Sequence, residues 1–349
     1  MELEPTGQPQ GTSPLWPARR HIVLAALIAF VAAVFAAGLA LAHTRSTRSG
    51  SGTGIVVIDT NLGYQGAQAA GTGIVLTSSG EVLTNNHVIR GATTIRVVVP
   101  RTGRSYAAKV VGYDVADDVA VLQLSGASNL KTLPLGDSSS VNVGQSVKAI
   151  GNAGGTGSFT PASGRVTALG RGITVGDDQG GSEHLSGLIQ TNAAVQPGDS
   201  GGPLLNSSGQ AIGMDTAASV GQGYQQTANV GWAIPINQAV SIAQQIRNGE
   251  SSSKVHIGGT GFLGVEVAAN DYGSGAVVQS VVPGSPADNA GLVPGDLITS
   301  LGGHAISSPA GLSATVAGQQ PGASTSATYV DQTGATQTTT VTLATGPAQ

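Results

Sequence analysis

The sequence predicts a mostly β protein of two folded domains behind an N-terminal membrane-spanning helix. Three observations carry that reading. Short apolar runs rich in β-branched residues recur between turn signals along most of the 349 residues. Glycine, at 53 residues, is scattered without a Gly-X-Y period, which excludes collagen and suits tight turns between strands. Residues 22–42 are 21 consecutive positions without a charge. As a helix they measure about 31 Å, close to the ~30 Å hydrocarbon core of a bilayer.

Arg19 and Arg20 precede that segment and favour a cytoplasmic N-terminus, while Arg45 and Arg48 beyond it weaken the bias. Residues 1–21 read as a polar cytoplasmic tail, 22–42 as the transmembrane helix and 43–53 as a Ser/Thr/Gly-rich tether. Ala40-Leu41-Ala42 also fits a signal-peptide cleavage site. Anchored or cleaved, the remainder of the chain is expected outside the cytoplasm.

From Gly54 onward the texture is β. Ile55-Val56-Val57-Ile58, Gly73-Ile74-Val75-Leu76 and Ile95-Arg96-Val97-Val98-Val99 read as strands, as do Val119-Ala120-Val121-Leu122 and Val147-Lys148-Ala149-Ile150. So do Arg165-Val166-Thr167-Ala168-Leu169 and Ala211-Ile212-Gly213-Met214. Such spacing argues for a barrel or sandwich rather than βαβ units. One helix is expected over 238–247, with Ala239, Ile242, Ala243 and Ile246 at helical spacing and Asn237 as its N-cap. A linker at 249–259 then separates a domain at 54–248 from one at 260–346, which has short helices near 286–290 and 309–316.

Charged residues make up 10% of the chain, the net charge is −4, and no basic stripe offers itself to phosphates, so a nucleic-acid partner is excluded. There is no cysteine, which removes disulfides and thiol nucleophiles. The chemistry must therefore rest on other groups.

Pro197-Gly198-Asp199-Ser200-Gly201-Gly202-Pro203-Leu204 is the most specific string. A serine hydroxyl needs a base to take its proton, and the reaction needs donors aimed at the developing oxyanion. Gly198-x-Ser200-x-Gly202 also fits the nucleophile elbow of α/β-hydrolases. That elbow requires a helix directly after the serine, which Gly201-Gly202-Pro203 cannot start. Of six histidines, His21 and His43 flank the apolar segment, His184 lies in a Gly/Ser-rich loop, and His256 and His304 lie in the linker and second domain. His87, at the end of the apolar run Val82-Leu83-Thr84-Asn85-Asn86, is the candidate base. Asp118, opening Val119-Ala120-Val121-Leu122, is the candidate orienting acid, while Asp114 and Asp117 read as solvated turn residues. The order His87, Asp118, Ser200 is that of the chymotrypsin architecture. Such a mechanism calls for no metal and no cofactor, and none is expected.

Thr84-Asn85-Asn86-His87-Val88, Ala149-Ile150-Gly151-Asn152 and Ser163-Gly164-Arg165-Val166-Thr167-Ala168-Leu169-Gly170-Arg171 resemble the HtrA (DegP-like) proteases. So do Ile189-Gln190-Thr191-Asn192-Ala193-Ala194 and Gly231-Trp232-Ala233-Ile234-Pro235-Ile236-Asn237. The resemblance covers 54 to about 346. It implies a chymotrypsin-like double β-barrel with the site between the barrels, followed by a small α+β PDZ domain. It also implies hydrolysis of unfolded or damaged polypeptides by His87, Asp118 and Ser200, and a homotrimer. The chain departs from the pattern at Asp199, where the family usually has Asn, and at Asn192, where it usually has Asp.

The backbone N–H groups of Gly198 and Ser200 are the expected oxyanion hole. Trypsin-like enzymes that prefer Arg or Lys place an acid six residues before the serine. Here Ala194 stands there, and with Ile212 and Met214 it suggests an apolar pocket for aliphatic side chains. In the second domain, Phe262, Leu263, Gly264 and Val265 resemble a PDZ carboxylate loop and groove strand, with Leu312 and Val316 as the helix side. Such a groove takes peptide C-termini by strand addition. A proteolytically weak chaperone or scaffold that binds unfolded chains is the alternative, and a non-peptide esterase is disfavoured by the failed elbow.

Overall fold

The computed structural model describes residues 52–63, 66–176, 182–216, 230–271 and 273–347. The apolar segment 22–42, the proposed anchor, lies outside them. Among the described residues no helix is long and apolar enough to cross a membrane.

The first barrel uses β1 (Ile55–Leu62), β2 (Ala67–Val75), β3 (Glu81–Thr84), β4 (Thr94–Val99), β5 (Arg104–Asp114) and β6 (Val119–Leu124). They pair antiparallel in the order β5-β4-β1-β2-β3-β6, and β6 pairs back onto β5 to close the ring. The second is a closed barrel of β7 (Ser146–Gly151), β8 (Thr160–Gly176), β9 (Ser182–Thr191), β10 (Pro203–Leu205), β11 (Ala211–Thr216) and β12 (Gly231–Pro235).

The unbroken apolar runs follow from burial on both faces. On β1, Val56 and Ile58 point into the first barrel, while Ile55 joins a second core shared with Ile150, Met214 and Ile234 of the other barrel. On β6, Ala120 and Leu122 face inward and Val119 and Val121 face the second barrel. Successive side chains alternate faces, so a strand buried on both sides reads as continuously hydrophobic.

Two helices flank the site. α1 (Asn86–Ile89) is one turn directly after β3, so His87 sits in a helical turn rather than at the end of the strand. α2 (Ile236–Arg247) buries Ala239, Ile242, Ala243 and Ile246 against the inter-barrel core. Asn237 is not its cap. Pro235 holds that position, and the Asn237 side chain accepts from the Ser138 N–H at 3.2 Å and donates to Asp137 Oδ1 at 2.7 Å. A helix starting on Pro235 brings Asn237 within reach of that loop, a use its sequence position does not betray.

The linker is not a free tether. β13 (Val255–Ile257) adds to β5 as a further strand, and His256 stacks on Tyr113 with ring centroids 4.9 Å apart.

Beyond it, β14 (Gly261–Phe262), β15 (Val265–Ala269), β16 (Ala276–Val281), α3 (Pro286–Asn289), β17 (Leu297–Leu301) and β18 (His304–Ala305) lead to α4 (Pro309–Ala317). β19 (Ser324–Val330), β20 (Thr336–Thr342) and β21 (Ala344–Thr345) follow. β15 forms one edge of a sheet in the order β15-β16-β17-β19-β20. Ser285 and Ser308 cap α3 and α4, each accepting a backbone N–H three residues on.

Candidate active site

Asp118 lies just before β6 and is buried. Its φ of 53° places it in the left-handed region, which Asp tolerates better than most residues. Asn85 Nδ2 holds its carbonyl at 3.0 Å. That strained turn aims the carboxylate at α1. Asp118 Oδ2 lies 2.9 Å and Oδ1 3.1 Å from His87 Nδ1, and Oδ1 also accepts the His87 backbone N–H at 3.0 Å. Thr216, at the end of β11, donates its hydroxyl to Oδ2 at 3.2 Å. Facing a carboxylate, Nδ1 carries the ring proton, which leaves Nε2 as the basic nitrogen.

Ser200 follows the turn 196–199 and is also buried. That turn closes on itself: the Asp199 N–H donates to the Gln196 carbonyl at 2.9 Å, and the Gln196 N–H donates to Asp199 Oδ2 at 2.9 Å. Gly198 has φ +96°, and a Cβ there would stand 2.2 Å from the Asn152 carbonyl oxygen. Gly201 has φ +82°, and its Cβ would meet the Thr72 carbonyl oxygen at 2.1 Å. Both positions therefore require glycine.

Thr72 ties the two barrels together at this point. Its hydroxyl donates to the Gly198 carbonyl at 2.7 Å and accepts the Asn152 N–H at 2.9 Å, while its N–H donates to the Ser200 carbonyl at 2.8 Å. Sequence reasoning missed it. Its signal was the string Gly71-Thr72-Gly73, where a Cβ on either glycine would meet Val88 or Val82 within 2.6 Å.

Three expectations change. Asp114 is not solvated: it is 2% exposed, accepts the Asp117 N–H at 3.0 Å, and burial raises its carboxyl above the usual range. Asp117 instead meets Lys254 Nζ at 3.1 Å. Ile212 and Met214 are 2% and 0% exposed and belong to the core of the described residues rather than to an open pocket wall. All six residues of β11 are buried, hence alternation could not tell wall from core. Ala194 is exposed and, with Gln196 and Asp199, lines a cavity of about 340 Å³. His184 is on β9 rather than in a loop, with Nδ1 3.2 Å from Thr174 Oγ1.

In the C-terminal domain α4 packs against β14 and β15. Gly264 has φ +86°, and a Cβ there would stand 2.2 Å from Ser285 Cβ. The Leu263 and Gly264 carbonyls accept from the N–H groups of Ala287 and Val282, both at 2.9 Å, which turns the carbonyl side of this loop into the domain. Leu263 and Leu312 are buried beneath, whereas Phe262, Val265 and Val316 stay half-buried beside the open edge of β15.

Two barrels with the His87–Asp118 pair and the Ser200 turn between them, followed by an edge-strand domain, are the architecture of the trypsin-like serine peptidases that carry one PDZ domain. Family models agree: a trypsin-like peptidase domain matches residues 71–214 and a PDZ domain residues 261–343. The chain belongs to the HtrA (DegP-like) family of serine proteases. It is 41% identical over 268 residues to a probable periplasmic serine protease do/HhoA-like of Haemophilus influenzae, covering 74% of this chain and 55% of that protein. It is 35% identical over 302 residues to the serine protease PepD of Mycobacterium tuberculosis, covering 83% and 63%. The periplasmic pH-dependent serine endoprotease DegQ of Escherichia coli is 38% identical over 264 residues, with 73% and 55% covered. The chain thus spans little more than half the length of most of these relatives. A solved HtrA-type protease, AlgW with tripeptide, aligns at 30% identity and TM-score 0.48 over 86% of this chain and 96% of its own.

Proposed function

We propose that the chain is a membrane-anchored serine endopeptidase that cleaves unfolded or damaged polypeptides outside the cytoplasm. The observation that carries this reading is the hold of Asp118 on His87, through Nδ1 and the backbone N–H together, beside the turn that presents Ser200. His87 Nε2 takes the Ser200 hydroxyl proton as Oγ attacks the peptide carbonyl, and Asp118 stabilises the imidazolium. The N–H groups of Gly198 and Ser200 receive the oxyanion. The proton then passes to the leaving amine, and water hydrolyses the acyl-enzyme with His87 again as base.

The edge of β15 beside α4 suits a peptide C-terminus added as a strand, with Phe262, Leu263, Gly264 and Val265 at the carboxylate and Leu312 and Val316 across the groove. The family resemblance suggests a homotrimer, and relatives named periplasmic support a place outside the cytoplasm.

Digestion of unfolded casein is expected to produce fragments ending in Val, Ala or Leu, because Ala194 puts no acid in the pocket. Mass spectrometry of the fragments checks this, and predominant Lys or Arg ends would overturn it. The mature protein is also expected to keep Glu2 and Glu4 and to resist alkaline extraction from membranes. A mature N-terminus at His43 in the soluble extracytoplasmic fraction would remove the anchor.

A further inference from the structure

Behind the serine turn lies a second carboxylate that the triad does not use. Asp215 and Asp199 are 0% and 2% exposed. A short backbone ladder joins them: the Gly201 N–H donates to the Asp215 carbonyl at 2.9 Å, and the Asp215 N–H to the Gly202 carbonyl at 2.7 Å. Asp199 Oδ1 and both carboxylate oxygens of Asp215 are buried without a hydrogen-bond partner, and only Asp199 Oδ2 is satisfied. Asp199 keeps one hydrogen-bonded oxygen and Asp215 none, so burial disfavours a charge on both carboxylates at once.

Among the described residues no cation is in place to neutralise them. β2, β10 and β12 carry no titratable side chain, and on β11 Asp215 is the sole one. Lys148 on β7 and Arg165 on β8 are exposed, and Arg165 donates to the Gly144 carbonyl at 2.8 Å. Asp118 and His87 approach through Thr216, the next residue along β11. Asp199 is the charge that acts on Asp215, after burial itself, to lift its carboxyl well above the usual range. Asp199 is raised to about 6 by burial, opposed by the Gln196 N–H.

We propose that Asp215 is a positioning residue for the oxyanion turn: it is held as the neutral acid beside Asp199, so that the pair keeps one proton and a single negative charge behind Gly198 and Ser200. The inference rests on Ser200 being the nucleophile. With that proton in place, the ionised Asp199 keeps the Gln196 N–H and the turn stays closed. When the proton leaves, two like charges repel across the ladder, and a second buried negative charge opposes the oxyanion forming nearby. The sign follows from linkage. A carboxyl whose folded pKa is raised leaves the native state binding more protons than the unfolded chain, so the pair erodes stability as pH rises from the ordinary carboxylate range through about 6 and beyond.

The test uses the full chain, Asp215→Asn and Asp215→Ala, with kcat/KM followed against pH and the infrared carbonyl stretch of a protonated carboxylic acid recorded at mildly alkaline pH. Wild type should show the acid band and lose kcat/KM on the alkaline side. Asp215→Asn, whose amide donates without titrating, should lose both the band and the alkaline fall. Asp215→Ala should lower kcat by at least about tenfold with KM little changed, as loss of a single oxyanion donor does more severely. If Asp215→Ala does not fold, the band and profile of Asp215→Asn decide alone. An alkaline limb identical in wild type and Asp215→Asn, or no difference in the acid band, overturns the proposal. The band is read without catalysis, so failure of the protease reading, seen as undiminished cleavage by a Ser200 variant, is a separate outcome.

Discussion

Ser200→Ala is expected to reduce casein hydrolysis about 10⁶-fold, the loss measured when the nucleophile is deleted from other serine proteases. The fold should survive. Ser200 contributes its backbone to the architecture, its carbonyl accepting the Thr72 N–H at 2.8 Å, and alanine keeps that bond. The flanking glycines, which no other residue can replace, are untouched. Initial rates on labelled casein with an unchanged thermal melt check the prediction. A variant within tenfold of wild type would remove Ser200 as the nucleophile.

Asp118→Asn is expected to lower kcat about 10⁴-fold, as loss of the orienting carboxylate does in this class of triad. The carboxylate receives the His87 backbone N–H, the His87 ring N–H and the Thr216 hydroxyl. An amide has one acceptor oxygen. Its NH₂ facing Nδ1 would force that nitrogen to accept and Nε2 to hold the proton, the wrong tautomer for a base. Asparagine also tolerates φ of 53°, so the turn should not collapse and the loss should appear in kcat at nearly wild-type stability. Asp118→Ala would add backbone strain to the same loss. Retention of more than a tenth of wild-type kcat in Asp118→Asn would mean that Asp118 does not orient the base.

The strands named from sequence were legible because β-branched runs alternate with turn glycines, and each such run overlaps a strand of the structure. The site strings were legible for a different reason. A nucleophile turn needs glycines on both sides of the serine, and an acid opening a buried strand has no role there unless something faces it. The short helix holding His87 was not visible: Asn86–Ile89 is one turn, too short for periodicity to register. The burial of Asp114 was hidden because its cover comes from elsewhere, β13 pairing Val255 opposite it from 141 residues further along.

By itself the sequence determined the mostly β architecture, the order of the two domains, and the identity of His87, Asp118 and Ser200 as candidates, since each is encoded in one contiguous string. Only the packing of the two barrels decided what those strings meet. It places Thr72 against Asn152 and Gly198 and Thr216 against Asp118, while closure of the second barrel sets Asp215 behind Asp199. It also sends Ile212 and Met214 into the core instead of a pocket. These contacts join residues far apart in the chain or on strands buried on both faces. Neither local propensity nor alternation carries information about which distant surface a side chain will face once the barrels close.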